Sequence, residues 1–330
     1  MTRTYRMGIL LILYAVLLVG CNPADKKTLP QGWMRIVPPE DVNALAEQGE
    51  YIWAGGRDGL FLVRRESGEL MELPACIPKL AYVRDLLVDA DNILHVAHAG
   101  GLGSFDGAAW SDDTTRLGLP PGPATALYQS PEKSDGALWV GNEMGVCSVQ
   151  GQEIRCLGRK DGLGLDSVDA MLMDYAGRMW FASASQIRGG LSMYDGRAWH
   201  HFHVEEGLPH NRVNALLLDN AGALHVATGF AENGGACTLR DKTWSALRQD
   251  DGLAGAVVRS LYQDKQGRMY YGSEFNGMAV FMGDKHLILR PENGLVGAEV
   301  KEMLQDAQGA LWLATNKGLN KVHDPADLEL

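Results

Sequence analysis

The chain has few of the features that usually announce a chemistry. It has no basic run and no basic–aromatic stripe, and its formal net charge is −11, which excludes nucleic acid as an expected partner. It has no Gly-x-Ser-x-Gly elbow for a serine nucleophile, and no motif in it asks for a cofactor. Long helical periodicity with capping signals is missing. Its 7–19 stretch is apolar but too short for a membrane span. Cysteines number five, too few for a disulfide scaffold in 330 residues.

What the chain does have is a repeat. The stretch 306–319 reads Asp-Ala-Gln-Gly-Ala-Leu-Trp-Leu-Ala-Thr-Asn-Lys-Gly-Leu, a strand between two turns. Asp306 and Gly309 hold the first and last places of a four-residue turn, where a type I turn favours Asp and Gly. The aromatic or His position of this strand recurs as Trp53, His95, Trp139, Trp180, His225, Tyr270 and Trp312, at intervals of 42, 44, 41, 45, 45 and 42 residues. Twelve residues before five of them stand Val83, Val168, Val213, Val258 and Val300. A punctuator, Asp161-Gly162-Leu163 and its equivalents at 206–208, 251–253 and 293–295, precedes the later copies.

Each copy holds four short strand-like runs, in the fifth at 213–218, 223–227, 236–240 and 243–247. The first two runs are apolar on nearly every residue, as sheets buried on both faces must be. Four strands and a period in the low forties predict an all-β, seven-bladed β-propeller over 32–325, with four-stranded antiparallel blades. After the seventh copy the outer strand is missing, and a segment of the right kind, Gly32-Trp33-Met34-Arg35-Ile36-Val37, precedes the first. The expectation is that this N-terminal strand closes the ring on the last blade. Residues 326–330 read as a tail.

The N-terminus reads as an export signal over 1–20, with Arg3 and Arg6 ahead of the apolar stretch. Leu18-Val19-Gly20-Cys21 resembles a bacterial lipobox, which implies cleavage before Cys21 and a lipid on it. An ordinary secretory signal and an uncleaved anchor are the alternatives. Asn22 is not the Asp that tends to hold such lipoproteins at the inner membrane, so the expected location is the periplasmic side of the envelope, at the outer membrane rather than the inner. Residues 21–31 form a polar tether.

An exported chain permits disulfides. Cys147 and Cys156 flank a hairpin centred on Gly151-Gln152, and counting outward from its turn pairs 150 with 153 and 147 with 156. The expectation is a bond between Cys147 and Cys156, with Cys76 and Cys237 unpaired.

The combined pattern, Asp-Gly-Leu, then Val-x-x-Leu, then Asp-x-x-Gly-x-Leu-Trp-x-Ala-Thr-x-x-Gly-Leu, is clearest at 206–228 and 293–319. It resembles the two-component regulator propeller repeat. In that family such repeats form periplasmic ligand-sensing propellers, often joined to a β-sandwich, a membrane span and a kinase or cyclase. Nothing after residue 325 matches those parts, so the resemblance implies an accessory sensor whose output comes from another protein.

Ligands of propellers commonly sit at the channel mouth on the face carrying the loops that enter the inner strands and those joining second and third strands. Here those loops present Arg57, His98, Asn142, Glu143, Arg188, His210, Arg212, Glu232, Glu274, Asn276, Asn316 and Lys317 as candidate ligand-binding residues, for a small ligand or an envelope protein partner. The loops at 184–190 and 229–235 are the longest and are expected to form one wall. His98 or His210 with Glu143 or Glu274 would suit an acid–base pair, which keeps a propeller lyase or hydrolase open beside a binding role and an assembly scaffold. His200, His201 and His203 suggest zinc at first sight. Alternation splits them between two strand faces, so no metal is expected. One acid per turn is too few for calcium. His95 and His225, in the aromatic column, read as packing residues with one hydrogen bond.

Overall fold

A computed structural model describes residues 29–328. The export signal, the lipobox and Cys21 lie outside the described residues, as do residues 329 and 330.

Seven four-stranded antiparallel sheets form a closed ring of blades. The chain is a seven-bladed β-propeller; its described residues hold one short helix, Asp113–Leu117, and single 3₁₀ turns between successive blades from the third to the seventh. The inner strands are Val42–Gln48, Asp85–Val88, Ala124–Gln129, Ala170–Met173, Val213–Leu218, Val258–Gln263 and Val300–Gln305. The seventh blade takes its outer strand from the N-terminus: Trp33–Ile36 pairs antiparallel with Gly318–Val322, Trp33 opposite Val322. Trp33 is buried in the core between blades six and seven. Leu29 packs partly against the same cluster, and Leu328 is buried in it, so the core gathers residues beyond both ends of the repeat.

The aromatic column has a reason that its hydrophobicity does not show. Each turn Asp accepts backbone N–H groups on one oxygen and a ring donor on the other. Asp306 Oδ1 accepts from Gln308 and Ala310, and its Oδ2 accepts from Trp312 Nε1 at 2.8 Å. Asp174 takes Trp180 Nε1 at 2.8 Å, and Asp264 takes the Tyr270 hydroxyl at 2.9 Å. His95 Nε2 meets Asp89 at 2.8 Å and His225 Nε2 meets Asp219 at 3.1 Å. The column requires a large ring with a polar hydrogen at its tip, so Trp, Tyr and His share it and Phe does not. Trp53 and Trp139, whose turns lack the Asp, donate to Gln48 and to Ser130.

Two residues past the column every blade has Gly or Ala. A Cβ at Gly141 would come within 2.3 Å of the Val168 carbonyl, and one at Gly272 within 2.4 Å of the Val300 carbonyl, both in the next blade. The small residue lets sheets approach face to face. Polar latches cross the same seam: Asn43 Nδ2 donates to the Val83 carbonyl at 2.9 Å, Asn214 Nδ2 to Val258 at 2.8 Å and Ser260 Oγ to Val300 at 2.8 Å.

The punctuators are 3₁₀ turns. In Arg159–Asp161 the Asp161 carboxylate accepts the Gly158 N–H at 3.0 Å, Gly162 takes a positive φ of 97°, and Leu163 is fully buried. Glu206, Asp251 and Asn293 repeat the device at His203, Arg248 and Arg290.

In the Gly145–Gln150 and Glu153–Leu157 hairpin, Gln150 opposes Glu153 and Cys147 opposes Cys156. The two cysteines are disulfide-bonded, with Cα atoms 4.0 Å apart. Cys76 and Cys237 are free. The fifth blade differs from expectation. Its second and third strands run further, as Leu224–Phe230 and Asn233–Arg240, closed by a tight turn with Ala231 at φ 55°. Residues 229–235 are therefore a projecting hairpin, with Gly234 and Gly235 tucked against backbone where a Cβ would clash.

Candidate functional site

The channel opens into a cavity of about 420 Å³ on the face of the inter-blade loops. Its first layer is one residue per blade, the residue that follows the aliphatic marker: Asn43, Arg84, Thr125, Asp169, Asn214, Arg259 and Lys301. Propeller geometry places the start of each inner strand at the mouth, so a single sequence position becomes a ring. One step deeper the blades contribute Ala126, Ala170, Ala215 and Ser260, together with Asp85 and Glu302. Leu127, Met171, Leu216 and Leu261 lie below.

The charges in the ring are not equivalent. Arg259 lies 3.4 Å from Glu299. Lys301 pairs with Asp41, contacts Asn43 at 3.1 Å and lies 3.7 Å from Glu299. Burial raises Glu299, and the two cations pull it back. Asp169 is pinned by the Ala184 N–H at 2.8 Å and the Ser167 hydroxyl at 2.9 Å. Arg84 has only a long contact to Glu143, 3.8 Å, and stacks over Tyr82 at 5.3 Å. Arg212 stacks over Phe230 at 4.8 Å, and no carboxylate of the described residues lies within ion-pair reach of it. The Nε–H groups of Arg84 and Arg212 and the Oδ1 of Asn214 are buried without a hydrogen-bond partner. Such groups are costly to leave unmet.

Asp85 and Glu302 are walled round by protein while touching the channel. Asp85 accepts the Leu127 N–H at 2.7 Å and the Leu86 N–H at 2.8 Å, yet desolvation raises its pKa to about 7. Desolvation, then the charge of Asp85, raises Glu302 to about 8. They titrate as a pair, and the repulsion falls on Glu302, which ionises second. The blade between them has only Ala44 at this level. At neutral pH Glu302 stays mostly protonated and Asp85 is partly ionised, so the deep end of the cavity keeps carboxyl O–H donors.

Of the residues expected from the loops, Arg212 lines the cavity. Glu143 reaches its edge through Arg84. Glu274 lies close enough to raise Glu299. His210 accepts the Arg212 N–H on Nδ1 at 2.8 Å, and burial, then Arg212, lowers its pKa. His98 accepts the Gly100 N–H at 3.1 Å, with its pKa lowered by burial. Asn142 and Asn316 serve backbone, accepting from Met144 and Glu299. Arg188 lies 4.0 Å from Asp166 on the outer rim. Arg57, Glu232, Asn276 and Lys317 are exposed at loop tips. Neither His98 nor His210 lines the cavity, and no bond joins either to Glu143 or Glu274. The strand histidines separate as well: His200 faces Asp195, His201 bonds Ser192, and His203 faces Glu206. Among the described residues no three ligating side chains cluster for a metal.

The residues that sequence reading missed are the ring of Asn43, Arg84, Thr125, Asp169, Asn214, Arg259 and Lys301, and the deeper pair Asp85 and Glu302. The signal for the ring was the polar residue after each aliphatic marker, at the entry to an otherwise apolar strand.

No protein-family model and no curated protein matches the chain. Solved structures do resemble it. The extracellular domain of a hybrid two-component system from B. thetaiotaomicron superposes with a TM-score of 0.73 at 16% identity, over 90% of this chain. The chain spans 41% of that protein's chain. Virginiamycin B lyase from Staphylococcus aureus gives a TM-score of 0.65 at 10% identity, over 88% of this chain and 98% of the lyase. YCF48 bound to D1 peptide gives 0.64 at 10% identity, over 89% and 97%. At these identities the likeness is one of fold.

Proposed function

We propose that this protein is a binding module whose site is the top-face mouth of the propeller channel, and that it serves as an accessory sensor for a separate signalling protein. The cavity carries the reading. It is large enough for a small molecule or a peptide side chain, it is ringed by charge, and it holds two arginines with unmet buried donors. A buried ring of this kind adds nothing to packing that apolar residues would not supply better. The sensor role draws on the repeat pattern and on the two-component propeller among the similar structures. Export and lipidation at Cys21 would place the module on the periplasmic side of the envelope, at the outer membrane.

A second reading is acid–base chemistry of the lyase or hydrolase kind. The observation in its favour is the Asp85–Glu302 pair, whose raised pKa values suit a general acid. Binding is preferred because no histidine lines the cavity and its aliphatic hydroxyls, on Thr125 and Ser260, are engaged by the Val168 and Val300 carbonyls.

The test is thermal shift on the protein beginning at Asn22, screened against sugars, peptides, organic acids and divalent metals. A ligand at about 100 times its Kd adds about 2.7 kcal/mol to native stability. At about 2 °C per kcal/mol for a chain of this size, that is a shift of about 5 °C. The expected result is a shift abolished by Arg212→Met. Shifts that ignore Arg212 and Arg84 would refute a site at the channel mouth.

A further inference from the structure

The loops around the mouth carry a second feature that the cavity does not explain. Met144, Ile187, Phe230 and Phe275 are 61, 86, 41 and 59% exposed. Each sits where the second strand turns into the third, in blades three, four, five and six in succession. The same turns of blades seven, one and two present Asn316-Lys317, Arg57-Asp58 and Ala99-Gly100. The apolar side chains therefore form a crescent over one side of the mouth, not a random scatter. Nine large apolar side chains are exposed among the described residues, and only Tyr175 and Met282 lie in turns of the opposite face. Exposing several large side chains together is unfavourable unless something covers them.

The charge beside the crescent says what covers it. Arg212 stands at its middle, against Phe230, without a carboxylate partner. Arg84 stands across the channel, against Tyr82, with one long contact. Arg259 and Lys301 are already neutralised by Glu299 and Asp41. The mouth thus offers one guanidinium, Arg212, with no ion-pair partner among the described residues, and a second, Arg84, held by a single 3.8 Å contact to Glu143. The formal net charge of −11 disfavours a second copy of the same chain as the occupant.

Resting on the binding reading above, we infer that the occupant is an acidic, apolar-flanked segment of a partner protein: its carboxylates meet Arg84 and Arg212 in the channel mouth, and its apolar side chains lie on the crescent of Met144, Ile187, Phe230 and Phe275. Guanidinium groups bind carboxylates with two parallel hydrogen bonds, and the aromatic stacking on each holds the fork in place. A small dicarboxylate would use the arginines alone and leave the crescent bare. A segment with apolar flanks uses both.

The experiment is selection of a displayed library of random dodecapeptides on the protein beginning at Asn22. Affinities of the selected peptides are then measured by fluorescence anisotropy on wild type and variants. The expected peptides are rich in Asp or Glu beside Leu, Phe or Ile, and bind more weakly as salt rises. Replacing their acids with amides costs tenfold or more. The double variant Arg84→Met and Arg212→Met loses binding, and Ile187→Asp, on an exposed loop, weakens it at least tenfold by like-charge repulsion. Melting temperatures of both variants serve as the folding control. Selected peptides without acids, or peptides indifferent to the arginines or to Ile187→Asp, overturn the inference. So does an empty selection while small molecules still give an Arg212-dependent thermal shift, an outcome that leaves the binding reading standing. If both assays are empty, both readings fall.

Discussion

Replacing Glu302 by Gln should make the protein more stable at alkaline pH, the reverse of the usual result for a charged residue in a site. Glu302 keeps its proton in the folded chain up to about pH 8, whereas the unfolded chain releases it near 4.5. Between those values the folded state binds the extra proton. Native stability therefore falls as pH rises from 4.5, and the loss is complete above about 8. The interval corresponds to about 5 kcal/mol at 1.36 kcal/mol per pKa unit. Water in the channel screens the buried charge, so the effect should be on the order of 2 kcal/mol or more. Gln has nearly the same shape and never ionises. Urea denaturation at pH 4.5 should give closely matched midpoints for wild type and Glu302→Gln. At pH 9 the variant should be the more stable, and the gap should open between those limits. Asp85→Asn should narrow the gap, because the charge of Asp85 is the second cause of the Glu302 shift. A gap that does not change with pH, or a variant less stable than wild type at pH 9, would refute the view that these carboxyls are enclosed together.

Two further outcomes follow from the fold, and a third tests the lipobox expectation. Trp33→Ala should cost about 3–5 kcal/mol, as for a large buried aromatic, and should loosen the joint between the first strand and the seventh blade, read as early hydrogen exchange in 318–322. Asp306→Ala should cost about 3–5 kcal/mol in urea denaturation, since it strands the Trp312 ring N–H and two backbone N–H groups in the interior. Asp106→Ala, at an exposed turn with backbone partners only, should cost much less. Cys21→Ser should abolish metabolic labelling by palmitate and move the protein from the membrane fraction to the soluble fraction, where an ordinary cleaved signal would show no difference.

The ring was legible because its signals are local and repeated. An Asp-x-x-Gly turn, a ring-bearing strand residue six positions on, and an aliphatic residue twelve before it occur often enough to fix seven blades. The closing strand was legible from a deficit at one end and a surplus at the other, Trp33 to Ile36 standing where the seventh blade lacked a partner for 318–322. The cysteine register followed from counting out of one hairpin turn. The site was less legible. Asp85 and Glu302 are far apart in sequence and share one cavity only because the ring closes. Each polar residue of the first layer sits at the entry to an apolar strand and looks, blade by blade, like an ordinary interruption. Loop residues such as Arg57 and Glu232 drew attention because they are polar in turns, where polar residues are expected for solvation alone. The fifth-blade segment 229–235 reads as one of the longest loops, but Gly234 and Gly235 are needed for close backbone approach in a hairpin. The crescent is invisible in sequence because Met144, Ile187, Phe230 and Phe275 share a side of the mouth only after four blades are stacked.

The most direct measurement is site-specific photo-crosslinking in cells. A benzophenone amino acid placed at Ile187 or Phe275, on the channel-mouth face, is compared with one at Tyr175 or Met282, on the opposite face. The account predicts a discrete adduct from Ile187 and Phe275, lost when Arg84 and Arg212 are both changed to Met, and none from Tyr175 or Met282. Adducts that form from Tyr175 or Met282 instead, or that persist without the two arginines, would contradict a site at the mouth of the channel.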